Sequence, residues 1–501
     1  MYIAALVIYL AVLIGVSVYK SRQVKSHADF MVAGRSVPVA LLVGTLVCTW
    51  IGSGSLFGGA GLAYQTGIAE LWFSFGGWVG LIVVFLIAHR VRKIAQYTVP
   101  DILETRYNSA ARILGTIAII LAYVTIAAYQ FRGGGWVLTM ITNGGIDPQT
   151  GMYIVAAVIV AFTAFAGMTS IVTVDIFNGV IITLGVLFAL PYMVFHNGGV
   201  AEIIRNLPPG HTEILGGHNI LWVLGVAAPT FLLLMGESGI YQKFFSAKDA
   251  SAARKAVVGM VIGIIVIETS LALLAIVGRS VYPELLNGES ILGRQAYESV
   301  ILYIAANGLP TIMGAVLLAA AIAIVLSTGN TFLLVPSTNV SHDIYERYIN
   351  PNASDQQKLN VQRVFIVIFG ALGVLMLTQF STVLAMALYA YSLIGASLTP
   401  ALLAAFLWKR VTPQGGVACM AGGLVTIVGL VVLNAVGLNF EMTIGDTVFD
   451  FASSDYVVIP GVIVSISLLV IVSLLTPKSA EAKWRPFFTP DAEPLLQADQ
   501  G

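Results

Sequence analysis

Long apolar stretches follow one another along almost the whole chain, separated by short polar connections. Each is near the length of helix, about twenty residues, that a hydrocarbon core of about 30 Å requires. The pattern predicts thirteen spans, at 2–20, 38–64, 70–88, 112–141, 151–168, 170–196, 218–242, 255–279, 308–336, 361–379, 382–408, 416–436 and 454–476. A membrane β-barrel would show weak ten-residue alternation instead. Composition agrees: 58% of the 501 residues are apolar and 10% are charged, whereas about 25% are charged in an ordinary soluble domain. The reading is an all-α polytopic membrane protein.

The first span has no basic region before it and no small-residue cleavage site after it, so it reads as a signal anchor. Its basic flank, KSRQVK, lies on the C-terminal side. Lysine and arginine collect on the cytoplasmic side of a membrane. With the N-terminus outside, 21 of the 25 lysines and arginines fall in cytoplasmic loops or the tail, Arg205, Arg279 and Arg294 fall outside, and Arg132 alone lies within a span. The expected location is a plasma or inner membrane, with the C-terminus cytoplasmic.

Zero net charge adds nothing to this picture. Cys48 and Cys419 both lie inside spans, so no disulfide framework is implied. The six histidines fall in loops or at span ends, and no His/Cys metal cluster is legible. No segment outside the spans is long enough for a soluble domain, and nucleic-acid binding has no support. The longest loops, near 89–112, 197–217, 280–307 and 337–361, leave room for small surface helices at most. The tail after Pro477 reads as disordered.

The irregularities inside the spans carry more information. The second span contains TWIGSGSLFGGAG, Thr49 to Gly61, although glycine is the poorest ordinary helix former. The seventh carries Gly225, Pro229, Gly236 and Gly239. Two spans interrupted near their middle, five apart and therefore opposite in direction, point to an inverted repeat with a binding site at the breaks. The break in the seventh is expected near Pro229. Unwound backbone at membrane depth is tolerated only where it lines a cavity or binds something. The competing explanation is close helix packing, which small residues also serve. The repeat divides the chain into an extra helix and loop (1–37), a transport core (38–408, with halves 38–196 and 218–408), two further helices (409–477) and a cytoplasmic tail (478–501).

The ninth span holds a polar knot, Ser327, Thr328, Asn330 and Thr331. A hard cation takes oxygen ligands, and two of these hydroxyls could supply them together with unwound carbonyls near Cys48 and Ile51. Such hydroxyls also commonly bond back to their own helix. Four ionisable residues fall within spans: Arg132, Asp175, Glu237 and Glu268. Each is costly there and is a functional candidate by default. Arg132 precedes three glycines that would let a solute approach; alternatively it pairs structurally with Glu237 or Glu268.

These residues bring out a resemblance. The chain resembles the sodium:solute symporter family, whose members carry sugars, proline, pantothenate, sialic acid or choline. The family's Gln-Arg pair followed by Ala-Lys is matched by YQKFFSAK, with Lys243 in place of the arginine. Its serine pair is matched by Ser327-Thr328, its Thr-Asp pair by Val174-Asp175, and its late Arg-to-Gly-Ala pattern by RVTPQGG, ending at Gly416. The resemblance implies a leucine-transporter-like 5+5 inverted repeat and a first sodium site made by the carbonyls of Cys48, Ile51 and Ile324 and the hydroxyls of Ser327 and Thr328. It also implies a second sodium site at Asp175, Asn330 and Thr331, where Asn330 and Val174 depart from the pattern. Trp50 stands where proline carriers have an aspartate, which argues against that subgroup. Trp50, Ser53, Arg132, Thr230 and Glu268 are the candidate solute contacts. Arg132 falls near the arginine that binds a carboxylate in sialic-acid carriers, and Trp50 near the tryptophan that faces an ammonium in choline carriers.

The expected function is therefore sodium-coupled import of a small organic solute by alternating access, as a monomer, with a carboxylate-bearing solute on the Arg132 reading. The alternatives are a proton-coupled or uncoupled permease of the same fold, with Asp175 or Glu268 taking the proton, and a membrane solute sensor. An enzyme would need a nucleophile–base pair or metal ligands facing a cavity, and neither is legible.

Overall fold

Short polar side chains sit where the apolar runs begin and fix the helix starts. Asn108 accepts from the Ala111 N–H, Asn219 from Trp222, Asp249 from Ala252 and Thr382 from Ala385. Each bond satisfies a backbone donor that a first helical turn leaves open. The computed structural model describes residues 2–21, 27–94, 96–288, 292–377, 380–444 and 447–488. Among them, eleven helical units are long and apolar enough to cross a membrane, and Tyr2–Leu13 and Val39–Trp50 are shorter apolar helices. Eleven units stand against thirteen expected spans partly because the chain stays helical through Gly67–Glu70. The end of the second expected span and the whole third run together as Gly54–Ile94. The boundary between the fifth and sixth falls at Gly167, whose φ of 62° interrupts Pro148–His196.

The helices form two groups that mix the halves of the chain. Val39–Trp50, Leu71–Ile94, Ile220–Gly236 and Ala250–Val281 pack together. Ser109–Ile141, Pro148–His196, Thr311–Asn339 and Asp355–Met376 form the other group. Val383–Ser397 lies against members of both.

Both expected interruptions exist, and their backbones match. Val39–Trp50 ends at Ile51 (φ −71°, ψ 100°), and the chain resumes as a wide π-type turn, Gly54–Gly59. Ile220–Gly236 ends at Glu237 (φ −68°, ψ 103°), and Ser238–Ser246 follows. The second break therefore lies at Glu237 and not near Pro229. Pro229 sits inside a continuous helix. A proline removes one helical hydrogen bond, whereas the extended ψ at Glu237 stops the helix outright.

At the C-terminal end, Pro413–Ala435 and Val458–Leu475 pack as a pair. A two-stranded hairpin precedes the second of them, pairing Glu441 with Asp450 and Ile444 with Thr447. The tail differs from its disordered reading. Glu481–Phe488 is helical, and Phe487 is buried against Phe406. Such a contact between distant residues is invisible to a composition argument. Residues 489–501 of the tail, and Arg22 and Lys25 of the first basic flank, lie outside the described residues.

Candidate functional site

The first break lies against the helix Thr311–Asn339. The Thr328 hydroxyl is 3.0 Å from the carbonyl oxygen of Ile51 and 3.2 Å from that of Cys48, and Ser327 Oγ is 3.5 Å from Cys48 O. Ser327 also donates to Asp175. All of these groups are buried. The ending of the helix at Ile51 is what turns its last carbonyls sideways, since they have lost the donors one turn ahead. Gly52 lets the two walls meet, because a Cβ there would lie 2.9 Å from the Thr328 methyl. The result is a cluster of neutral oxygens from two elements, suited to a hard monovalent cation. Ile324 is buried in the same helix, three residues before Ser327.

The three residues of the expected second ion site are not gathered in the same way. Asp175 accepts from Thr45 and Ser327, and its other neighbour is Lys243, whose Nζ is 3.4 Å from Oδ2. Lys243 also donates to the Thr45 carbonyl at 2.9 Å and to the Thr49 hydroxyl. Asn330 turns away and accepts from Thr163 at 2.9 Å. Thr331 packs its methyl against Gly239. Lys243 is fully buried, which corrects its assignment to a cytoplasmic loop. The sequence places it only three residues from the end of its short helix, Ser238–Ser246; its burial follows from the broken helix folding inward.

Of the expected solute contacts, Trp50 and Glu268 meet directly. Trp50 Nε1 donates to Glu268 Oε1 at 2.8 Å, Ser55 Oγ donates to the same oxygen at 3.1 Å, and Trp78 Nε1 donates to Oε2 at 2.9 Å. Trp50 and Ser55 flank the break on either side. The Trp50 and Phe73 rings both stack on Tyr391, at 6.4 and 6.3 Å between centroids. Gly54 leaves room for the Tyr391 hydroxyl, which would lie 2.5 Å from a Cβ there. Ser53 is fully buried at the break, and its N–H donates to Gln130 Oε1 at 3.0 Å.

Arg132 and Thr230 are engaged elsewhere. Arg132 Nη2 donates to the carbonyls of Leu377 and Phe380, the latter at 2.8 Å. It pairs with neither Glu237 nor Glu268; the acid within its electrostatic range is Glu298. The helix Asp355–Met376 ends immediately before Leu377, and a cation is favoured at such a C-terminus. The pairing with Glu237 or Glu268 read from sequence is thereby corrected: one guanidinium nitrogen, Nη2, serves both carbonyls, and Nη1 is buried with no hydrogen-bond partner. The Thr230 hydroxyl is likewise committed, at 2.7 Å to the Phe73 carbonyl and 2.9 Å to that of Ala227.

Three acids were missed or misread. Glu237 closes the second break itself, accepting from the N–H groups of Gly239 (3.1 Å) and Ile240 (2.6 Å) and from the Tyr123 hydroxyl. Glu70, read as a span end, is buried beside Ser74, which donates to it at 3.0 Å. Glu298 accepts from the N–H groups of Val383 and Leu384, each at 3.0 Å, and caps Val383–Ser397. Burial pushes the Glu298 carboxyl up to about 7 against the pull of those two donors and Arg132. Away from the breaks, Asp101, His342 and Asp343 form a cluster that Arg112 enters, with Arg112 Nε 2.8 Å from Glu104. Burial raises the Asp101 carboxyl, but His342 and Arg112 outweigh it and hold the group well below the usual carboxylate range.

Comparison with known proteins bears on the family and the fold. The chain is 27% identical over 486 residues to the high-affinity proline transporter PutP of Bacillus subtilis, covering 94% of this chain and 97% of that one. It is 27% identical over 469 residues to the sodium/pantothenate symporter of Escherichia coli, covering 88% and 92%. Its fold matches that of a Na+-coupled sialic acid symporter in a substrate-bound outward-open state, with a TM-score of 0.74, 17% identity and coverage of 96% and 98%. The Mhp1 nucleobase-cation-symport transporter shares the fold at a TM-score of 0.59, with 13% identity and coverage of 93% and 99%. The model of the sodium:solute symporter family matches residues 30–423. The chain belongs to that family, and its activity is sodium-coupled symport of a small solute across a membrane.

Proposed function

We propose that this carrier binds sodium between the first break and the helix Thr311–Asn339, and brings a small organic solute inward by alternating access. The ligands are the carbonyls of Cys48, Ile51 and Ile324 and the hydroxyls of Ser327 and Thr328. The supporting observation is the approach of one hydroxyl, Thr328 Oγ1, to two carbonyls that a helix end has freed, at 3.0 and 3.2 Å. The N-terminus faces outside and the C-terminus the cytoplasm, which the distribution of lysine and arginine supports. The solute binds beside the same break, where Trp50, Ser55 and Glu268 converge. Proline and pantothenate, the solutes of the two relatives, support the size class only.

The experiment is a thermal-shift and uptake measurement on purified, reconstituted protein with sodium exchanged for potassium. Sodium is expected to stabilise the wild type and to be required for uptake. The double variant S327A/T328A is expected to fold and to lose the sodium-specific shift. An unchanged shift places the ion elsewhere.

One ion per cycle is the reading that Lys243 favours. Its ammonium already lies 3.4 Å from Asp175, where a second cation would bind.

A further inference from the structure

Glu268 faces the first break with its charge answered only by neutral donors. Two indole N–H groups and a serine hydroxyl bond to it. Among the described residues no lysine, arginine or histidine forms an ion pair with it or with Glu70. The two acids lie within electrostatic range of each other, and Ser74 lies on both. Glu70 Oε2 is buried with no hydrogen-bond partner at all. An uncompensated pair of buried carboxylates is among the costliest arrangements a protein can hold. Arg132 Nη2 donates to the carbonyls of Leu377 and Phe380, and Lys243 pairs with Asp175.

Three backbone donors at the breaks that would receive an anion are also taken. The freed N–H groups at the second break hold the carboxylate of Glu237. At the first break, the Ser53 N–H is held by Gln130. The neighbourhood of Glu268 is acid and aromatic: Trp50, Phe73 and Tyr391. Ring faces attract cations through their quadrupole.

We propose that the solute of this carrier is an organic cation, bearing an ammonium group that seats against Glu268 and Glu70 beside the Trp50–Tyr391 stack. This rests on the solute site proposed above. The cation supplies the charge that the two acids lack, and it needs no carboxylate of its own. Protonated and quaternary ammonium ions share this chemistry. The bare Glu70 oxygen favours a nitrogen with a hydrogen to donate.

The test is a set of ring compounds of one size, measured by thermal shift and by displacement on purified protein in sodium and in potassium. Pyrrolidine carries the ammonium alone, N,N-dimethylpyrrolidinium makes it quaternary, cyclopentanecarboxylate carries the carboxylate alone, and proline carries both. Pyrrolidine is expected to bind, more tightly in sodium, and cyclopentanecarboxylate is expected not to. Weaker binding of the quaternary ion than of pyrrolidine identifies Glu70 as a hydrogen-bond acceptor, and equal binding assigns recognition to charge and ring faces; either outcome keeps the proposal. E268Q is expected to weaken pyrrolidine at least tenfold. If E268Q does not fold, E70Q serves, with an expected loss of at least threefold. Binding of proline or cyclopentanecarboxylate without pyrrolidine overturns the proposal, as does a sodium-stabilised protein that binds neither cation. Cation binding unchanged in a folded E268Q protein also overturns it. A pyrrolidine shift that is the same in sodium and potassium leaves this inference standing and counts against the sodium site instead.

Discussion

The two breaks have the same backbone and opposite fittings. Ile51 and Glu237 differ by only a few degrees in φ and ψ. The first is followed by glycines and small residues, Gly52 to Ser55, so its freed groups face outward to other elements. Its carbonyls meet the hydroxyls of Thr311–Asn339, and its flanks carry Trp50 and Ser55 to Glu268. The second carries its own acid, which folds back and satisfies the N–H groups of the half-helix behind it. An inverted repeat thus supplies two openings in the backbone, and side chains decide which one stays available. The first is left for ion and solute, and the second is closed as part of the frame.

The strongest way to break this contrast is to remove the closure. Glu237→Ala strands two backbone N–H groups and the Tyr123 hydroxyl in a buried place, at about 1–3 kcal/mol for each unsatisfied group. Detergent-solubilised protein is expected to lose its monodisperse peak on size exclusion, while Glu237→Gln, which keeps an accepting oxygen, retains it. At the first break the expected effect is on function. Ser327→Ala with Thr328→Ala removes two ion ligands, and each lost oxygen costs on the order of a tenfold rise in the sodium needed for half-maximal uptake. Equal folding defects in both cases would show that the two breaks are not divided in this way.

Much of this was legible in the sequence, for physical reasons. A run of apolar residues is readable because lipid allows little else. GSGS within such a run is readable because glycine is a poor helix former, so its gathering marks a break or a close approach, and Ser327-Thr328 because they end a stretch without polar side chains, 312–326. The second break was placed eight residues early. Proline draws attention as a helix breaker, whereas glutamate is a rare helix cap and gives no signal at Glu237. Arg132 was readable as costly, but its partners are carbonyls, which every residue owns and no sequence pattern marks. Glu70 and Lys243 were passed over because they lie near the ends of apolar runs, where charges are ordinary. Only the packing of distant helices shows that both are buried.

The Asp175 pocket sharpens the comparison within the first break. It lies beside the sodium oxygens, yet it already holds a cation in Lys243. Sodium dependence of uptake is expected to follow a Hill coefficient near one in the wild type. Lys243→Gln removes the resident charge and leaves Asp175 with hydroxyl donors only, so a second sodium becomes the available counter-ion and the coefficient rises toward two. Lys243→Arg is expected to stay near one. A wild-type coefficient of two would mean that the ammonium does not hold that place.

The smallest effect on uptake is expected at Arg132, and it bears on which residues touch the solute. The guanidinium spans the carbonyls of Leu377 and Phe380. Lysine keeps the charge but loses the planar group whose Nη2 serves both. Arg132→Lys is therefore expected to cost about 1.5–3 kcal/mol of stability, the range for one hydrogen bond from a charged donor, read as a fall in the thermal midpoint. The KM for solute is expected to change by less than about twofold, because nothing at the Trp50–Glu268 contact is altered. A large rise in KM with an unchanged midpoint would instead put the Arg132 guanidinium on the solute. It would also reverse the charge balance on which the acidic, aromatic reading of the first break depends.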